Sequence, residues 1–148
     1  MVQPFDPQSA LLAKHAQHVV LVHFPIALYI AGVFFDLLSR GKKLSAFASA
    51  AYFNLSLAAL STIPVVATGL LAWRFALEGQ KLKGVLLLHL LFAIASSLLI
   101  SVSWWIHRHS RRTADEALPS YRLAVEALGV CLVALTGHLG GFLTGVNI

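Results

Sequence analysis

Four apolar runs, each long enough to cross a bilayer, leave this chain few ways to fold. They cover residues 18–38, 47–73, 84–106 and 122–142. A hydrocarbon core about 30 Å thick takes about 20 helical residues to span. Backbone groups have no water to bond there, so each run must satisfy its own as a helix. The links between runs are short, which makes consecutive helices antiparallel neighbours. The expected fold is therefore all-α: a single domain over 1–148, an integral-membrane up-down-up-down four-helix bundle. Composition agrees, with 58% hydrophobic and 11% charged residues and a mean hydropathy of +0.79. That excludes a water-soluble enzyme, and no nucleophile–base–acid constellation is visible.

The net charge of +5 sits in the connections and reads as a topology signal, not a nucleic-acid footprint. Arg40, Lys42, Lys43, Arg108, Arg111, Arg112 and Arg122 lie at one end of the bundle. Lys14, Arg74, Lys81 and Lys83 lie at the other. The bias places the first group in the cytoplasm and both termini outside, in the periplasm of a bacterial inner membrane. Trp104, Trp105 and Tyr121 would mark the inner interface and Trp73 the outer one. The first 17 residues, with Pro4, Asp6 and Pro7, lack the apolar core of a signal peptide. Cys131 has no partner cysteine, which excludes an intrachain disulfide, a cysteine zinc site and covalent haem attachment. Pro25 and Pro64 fall inside spans and are expected to shape their helices, with Ser61 and Thr62 re-satisfying carbonyls freed by Pro64.

Three histidines share a depth. His23 and His89 each lie about 7.5 Å from the outer end of their span, and His138 about 6 Å. A histidine at that depth needs a partner or a purpose. One helical turn deeper lie Ala27, Ala93 and Ala134, continued by Ala31, Ser96 and Cys131. Small side chains under a layer of imidazoles leave room for a flat body or for close helix packing. Gly137, Gly141 and Gly145 form a small-residue series suited to the second.

The leading expectation from this layer is haem b, held by His138 with His89 or His23 opposite. Arg74, Lys81 and Lys83 would meet its propionates. His18, about 140° round the helix from His23, would serve the interface, the propionates or a second site. The function expected on these grounds is a b-type cytochrome-like subunit carrying electrons through a haem near the outer leaflet. Its partners would be subunits of a membrane redox complex, a periplasmic cytochrome or quinone. The alternatives are a non-redox anchor or assembly subunit with structural hydrogen-bonding histidines, or a copper or zinc site on His138, His89, His23 and His18. His15, His107 and His109 are expected to be interfacial and solvated, and Glu78 solvated. Asp36 with Arg40, and Glu126 with Arg122, stand four apart and form ion pairs within their helices.

The order His18-x4-His23-Phe24-Pro25-Ile26-Ala27-Leu28, Asp36, Thr68-Gly69-Leu70-Leu71, His89 and Thr136-Gly137-His138-Leu139-Gly140-Gly141 resembles a bacterial family. It is the predicted-membrane-protein family catalogued as domain of unknown function 2231. The resemblance covers essentially the whole chain. It implies a four-helix inner-membrane protein associated with respiratory or cytochrome-containing systems, and no established reaction. The ending Phe142-Leu143-Thr144-Gly145-Val146-Asn147-Ile148 departs from the family's pattern.

Overall fold

The structure, a computed structural model, describes residues 16–42, 45–113 and 118–144. Lys14, His15, Lys43 and the tail from Gly145 lie outside the described residues. A short helix α1 (Ala16–Leu21) leads into α2 (His23–Lys42), followed by α3 (Ser45–Leu71), α4 (Gly84–Arg112) and α5 (Arg122–Leu143). Among the described residues there is no strand. Four stretches are long and apolar enough to cross a membrane: Gln17–Arg40, Ser45–Ala76, Gly84–Arg112 and Arg122–Leu143. The up-down-up-down membrane bundle is thus the fold.

Most of each span faces outward. At most 22% of any span's apolar window is buried within the protein. Phe24, Phe34, Phe53, Leu60, Ile63 and Leu98 all present their side chains to the exterior. In water such a surface would drive aggregation; in a bilayer it is the solvated surface. The helices pair as two hairpins, α2 with α3 and α4 with α5, and α3 packs more lightly on α4.

The core lies towards the end where α2 and α4 finish and α3 and α5 begin, here called the arginine-rich end. Tyr29, Val33, Leu55, Ala58, Ile100 and Val133 form it. A Cβ placed at Gly32 would stand 2.9 Å from Leu55 Cγ, so the first hairpin closes only because position 32 has no side chain.

Proline acts differently at its two sites. Pro25 falls in the first turn of α2, just after the break at Val22, where a missing N–H costs nothing. Pro64 sits inside α3, which runs through it. Ser61 and Thr62 donate to the carbonyls of Ala58 and Ala59. They do not cap the Leu60 carbonyl that Pro64 leaves without its usual donor. At the opposite end a π-helical turn, Ala72–Ala76, closes α3. Trp73 Nε1 then donates to the Gln80 carbonyl at 2.9 Å and ties down the following turn.

Candidate metal centre

Helix α4 runs six residues past the expected end of its span, to Arg112. That extension carries His107 inward, where it is 3% exposed. The inward face of α4 reads His89, Ala93, Ser96, Ile100, Ser103 and His107, alternating steps of four and three, the spacing of one helix face. Facing its last turn, α2 brings Asp36 and α5 brings Arg122 and Glu126. Asp36 and Glu126 are each 1% exposed and Arg122 is 4% exposed.

The four side chains form one connected cluster. His107 Nε2–H donates to Glu126 Oε1 at 2.9 Å, and the same nitrogen lies 3.8 Å from Asp36 Oδ1. Arg122 grips Asp36 with both arms, Nε to Oδ2 at 3.0 Å and Nη2 to Oδ1 at 3.2 Å. Its Nη1 donates to the carbonyls of Leu118 and Pro119, at 3.4 and 3.3 Å, which fixes the entry to α5. Glu126 Oε2 is buried with no hydrogen-bond partner. A buried carboxylate oxygen left unpaired is costly.

Donor atoms of Asp36, His107 and Glu126 all fall within 4.8 Å of one another. A tetrahedral shell about 2.1 Å in radius sets its donors roughly 3.4 Å apart, so small side-chain rotations bring these three to a metal. One imidazole and two carboxylates suit a divalent ion such as zinc. Directly behind the cluster, Tyr29 is fully buried and its Oη pairs with Ser103 Oγ at 2.9 Å. The Tyr29 ring fills the notch at Gly129, where a Cβ would come within 2.8 Å of Cε1. This tyrosine sets the rotation of α2 against α4 and α5, and hence where Asp36 points.

The sequence signature of the predicted membrane protein family DUF2231 matches residues 14–146. The chain belongs to this family. No curated protein and no solved structure matches it.

In this DUF2231 chain the histidines of the expected outer layer do not share a ligand pocket. His18 Nδ1 bonds Thr68 Oγ1 at 3.2 Å. Because that hydroxyl already gives its hydrogen to Pro64 O, the histidine is the donor. His23 Nδ1–H donates to Val19 O, 2.7 Å away in the preceding turn, and the residue is exposed on the bundle's outer surface. His89 Nδ1–H donates to Thr136 O at 3.1 Å, with its ring against Gly140. His138 is exposed and stands edge-on to Phe142, ring centroids 4.9 Å apart.

Ala27 and Ala134 are exposed and Ala93 is half-buried, so they do not floor a common cavity. Gly137 lies under Ile26, its would-be Cβ 3.7 Å from Cδ1. The Gly141 carbonyl accepts from Thr144 Oγ1. Arg74 lies over the Phe75 ring at 5.8 Å, and Lys81 and Lys83 are exposed. The haem b centre, and with it the cytochrome-like electron-carrying function, is therefore not what this chain builds. Among the described residues the metal-competent group is Asp36, His107 and Glu126, not the layer of His23, His89 and His138.

The ion pairs are also redistributed. Asp36 pairs with Arg122 on another helix, not with Arg40, which is exposed. Glu126 pairs with His107, not with Arg122. His107, expected to be solvated, is the imidazole of the site, while His109 is exposed and stacks on Trp105. The signal that finds His107 is the step pattern of α4. Counting by fours and threes from His89 lands on it. Average hydropathy instead falls at the run of charges from Arg108, and hides it.

Proposed function

We propose that this multi-pass membrane protein is a metal-binding subunit in which Asp36, His107 and Glu126 hold one divalent cation, zinc being the first to test. The observation that carries the reading is the buried, unpartnered Oε2 of Glu126 beside a histidine and a second carboxylate. The arginine-rich end is taken as cytoplasmic. Arg122, buried in its pair with Asp36, drops out of the charge count, and the remaining bias in the links keeps its sign. Both termini are then periplasmic in a bacterial inner membrane. The exposed rings of His23 and His138, at span depth, support a neighbouring subunit of a larger membrane complex.

The decisive experiment strips the purified protein with a chelator and titrates it with zinc. One ion per chain is expected, with Glu126→Gln and His107→Ala each weakening binding at least about tenfold and His89→Ala and His138→Ala leaving it unchanged. Failure of the wild type to bind, or equal loss in His89→Ala, overturns the reading.

A second reading has its own observation. Arg122 holds both oxygens of Asp36, and those bonds join the two hairpins. On this reading the cluster is an ionic clamp in a membrane anchor or assembly subunit, and the same titration returns no metal while every cluster variant loses stability.

A further inference from the structure

We propose that the arginine-rich end of α4, with the facing edge of α3, is a binding site for the headgroup of an anionic phospholipid such as phosphatidylglycerol. The proposal is independent of the metal centre and rests on depth, charge and the way the arginines are held.

Counting from Gly84, the first residue of α4, the 20 residues to Trp104 rise about 30 Å, the thickness of a hydrocarbon core. Trp104 and Trp105 therefore stand at its edge. Arg108 lies about 6 Å beyond and Arg112 about 12 Å beyond, in the layer of lipid phosphates. Arg108, Arg111 and Arg112 all fall in the last two turns of this helix.

Two of these arginines, Arg108 and Arg111, are not loose surface charges. The Arg108 guanidinium sits 5.2 Å from the centroid of Trp104. That of Arg111 lies 4.5 Å over Tyr52 of α3 and donates to Ser49 Oγ at 3.1 Å. A guanidinium held over an aromatic ring still has N–H donors to offer, and in Arg111 Ser49 uses only one of them. A guanidinium so held loses little further freedom when it grips a phosphate with two parallel hydrogen bonds. Exposed Trp105, stacked on His109 at 5.4 Å, offers an amphipathic ring beside the acyl–headgroup boundary. The charge of this surface is not cancelled by the described acids at the same end, since Asp36 and Glu126 are both buried inside the cluster. Asp115 and Glu116 lie in the following link, outside the described residues.

A membrane already presents anionic headgroups at this depth, in the same plane and in excess. Each arginine near the surface is worth about a fivefold preference for anionic over neutral lipid. Two arginines three residues apart, and so neighbours on the helix surface, give about 25-fold.

The test measures lipid retained by the full chain, using native mass spectrometry from nanodiscs of mixed phosphatidylglycerol and phosphatidylcholine. Wild type is expected to retain phosphatidylglycerol selectively at one per chain. Arg108→Gln/Arg111→Gln is expected to lose about 25-fold of that preference, with zinc titration of the same sample unchanged. Arg108→Lys/Arg111→Lys, which keeps charge but not the planar fork, is expected to lose the one-per-chain stoichiometry. Full selectivity in the lysine variant reduces the effect to general positive charge and overturns the site, as does equal retention of the two lipids by wild type. Displacement of the lipid by excess inorganic phosphate overturns the lipid assignment.

Discussion

Glu126 has one oxygen bonded to His107 and another with no partner, both out of reach of water. Replacing it with glutamine keeps the shape and removes the negative charge, so metal binding and stability are expected to part company. Zinc affinity is expected to fall in Glu126→Gln while the unfolding midpoint in detergent without metal changes little, since the amide oxygen still accepts from His107 and the amide nitrogen takes the unpartnered place of Oε2. A midpoint that falls steeply with no metal bound to either protein marks the cluster as an ionic clamp. Tyr29 offers a contrasting test. Tyr29→Phe strips Ser103 of its buried partner and is expected to cost about 1–2 kcal/mol in thermal or denaturant unfolding. Gly129→Ala drives a methyl group into the Tyr29 ring and is expected to cost about 1–3 kcal/mol. On the metal-binding reading, Gly129→Ala is also expected to weaken zinc binding without touching a ligand, because it displaces a ring two helical turns from Asp36 on α2.

At the scale of helices, each hairpin is held by packing, and the two are joined by the shared core around Tyr29 and by polar contacts at the arginine-rich end. Asp36 to Arg122, Tyr29 to Ser103, His107 to Asp36 and Arg111 to Ser49 all cross between them. Asp36→Asn or Arg122→Gln alone strands a buried charge and is expected to cost about 3–5 kcal/mol. A double variant exchanging the two residues, Asp36→Arg with Arg122→Asp, is expected to recover much of the loss from either single reversal. A double-mutant cycle on unfolding free energies reads the recovery directly. Simple additivity of the two losses argues that the hairpins are joined by packing alone.

At the scale of the molecule, the bundle has an exterior dressed for lipid and an interior whose polar residues gather near one end. If that end faces the cytoplasm, a cysteine at Arg112 in a Cys131→Ser background is protected from an impermeant maleimide in intact cells, and one at Gln80 is labelled. The reverse pattern inverts the topology and puts the Asp36, His107 and Glu126 cluster near the periplasmic face.

The apolar runs determined the number of spans and their order, because the cost of backbone groups in hydrocarbon acts on each segment separately. The family was legible too, in the order of short motifs from His18 to Gly141. What the sequence left open was how each helix turns about its own axis against its neighbours. Spacing of four suggested Asp36 with Arg40 and Glu126 with Arg122; packing paired Asp36 with Arg122 and Glu126 with His107. Equal depth suggested that His23, His89 and His138 would converge, yet two of them face outward. Depth and spacing are properties of one helix, whereas a site needs side chains of several helices to point at one place. Here the Tyr29 ring seated against Gly129 sets that rotation, and only the folded bundle brings the two together.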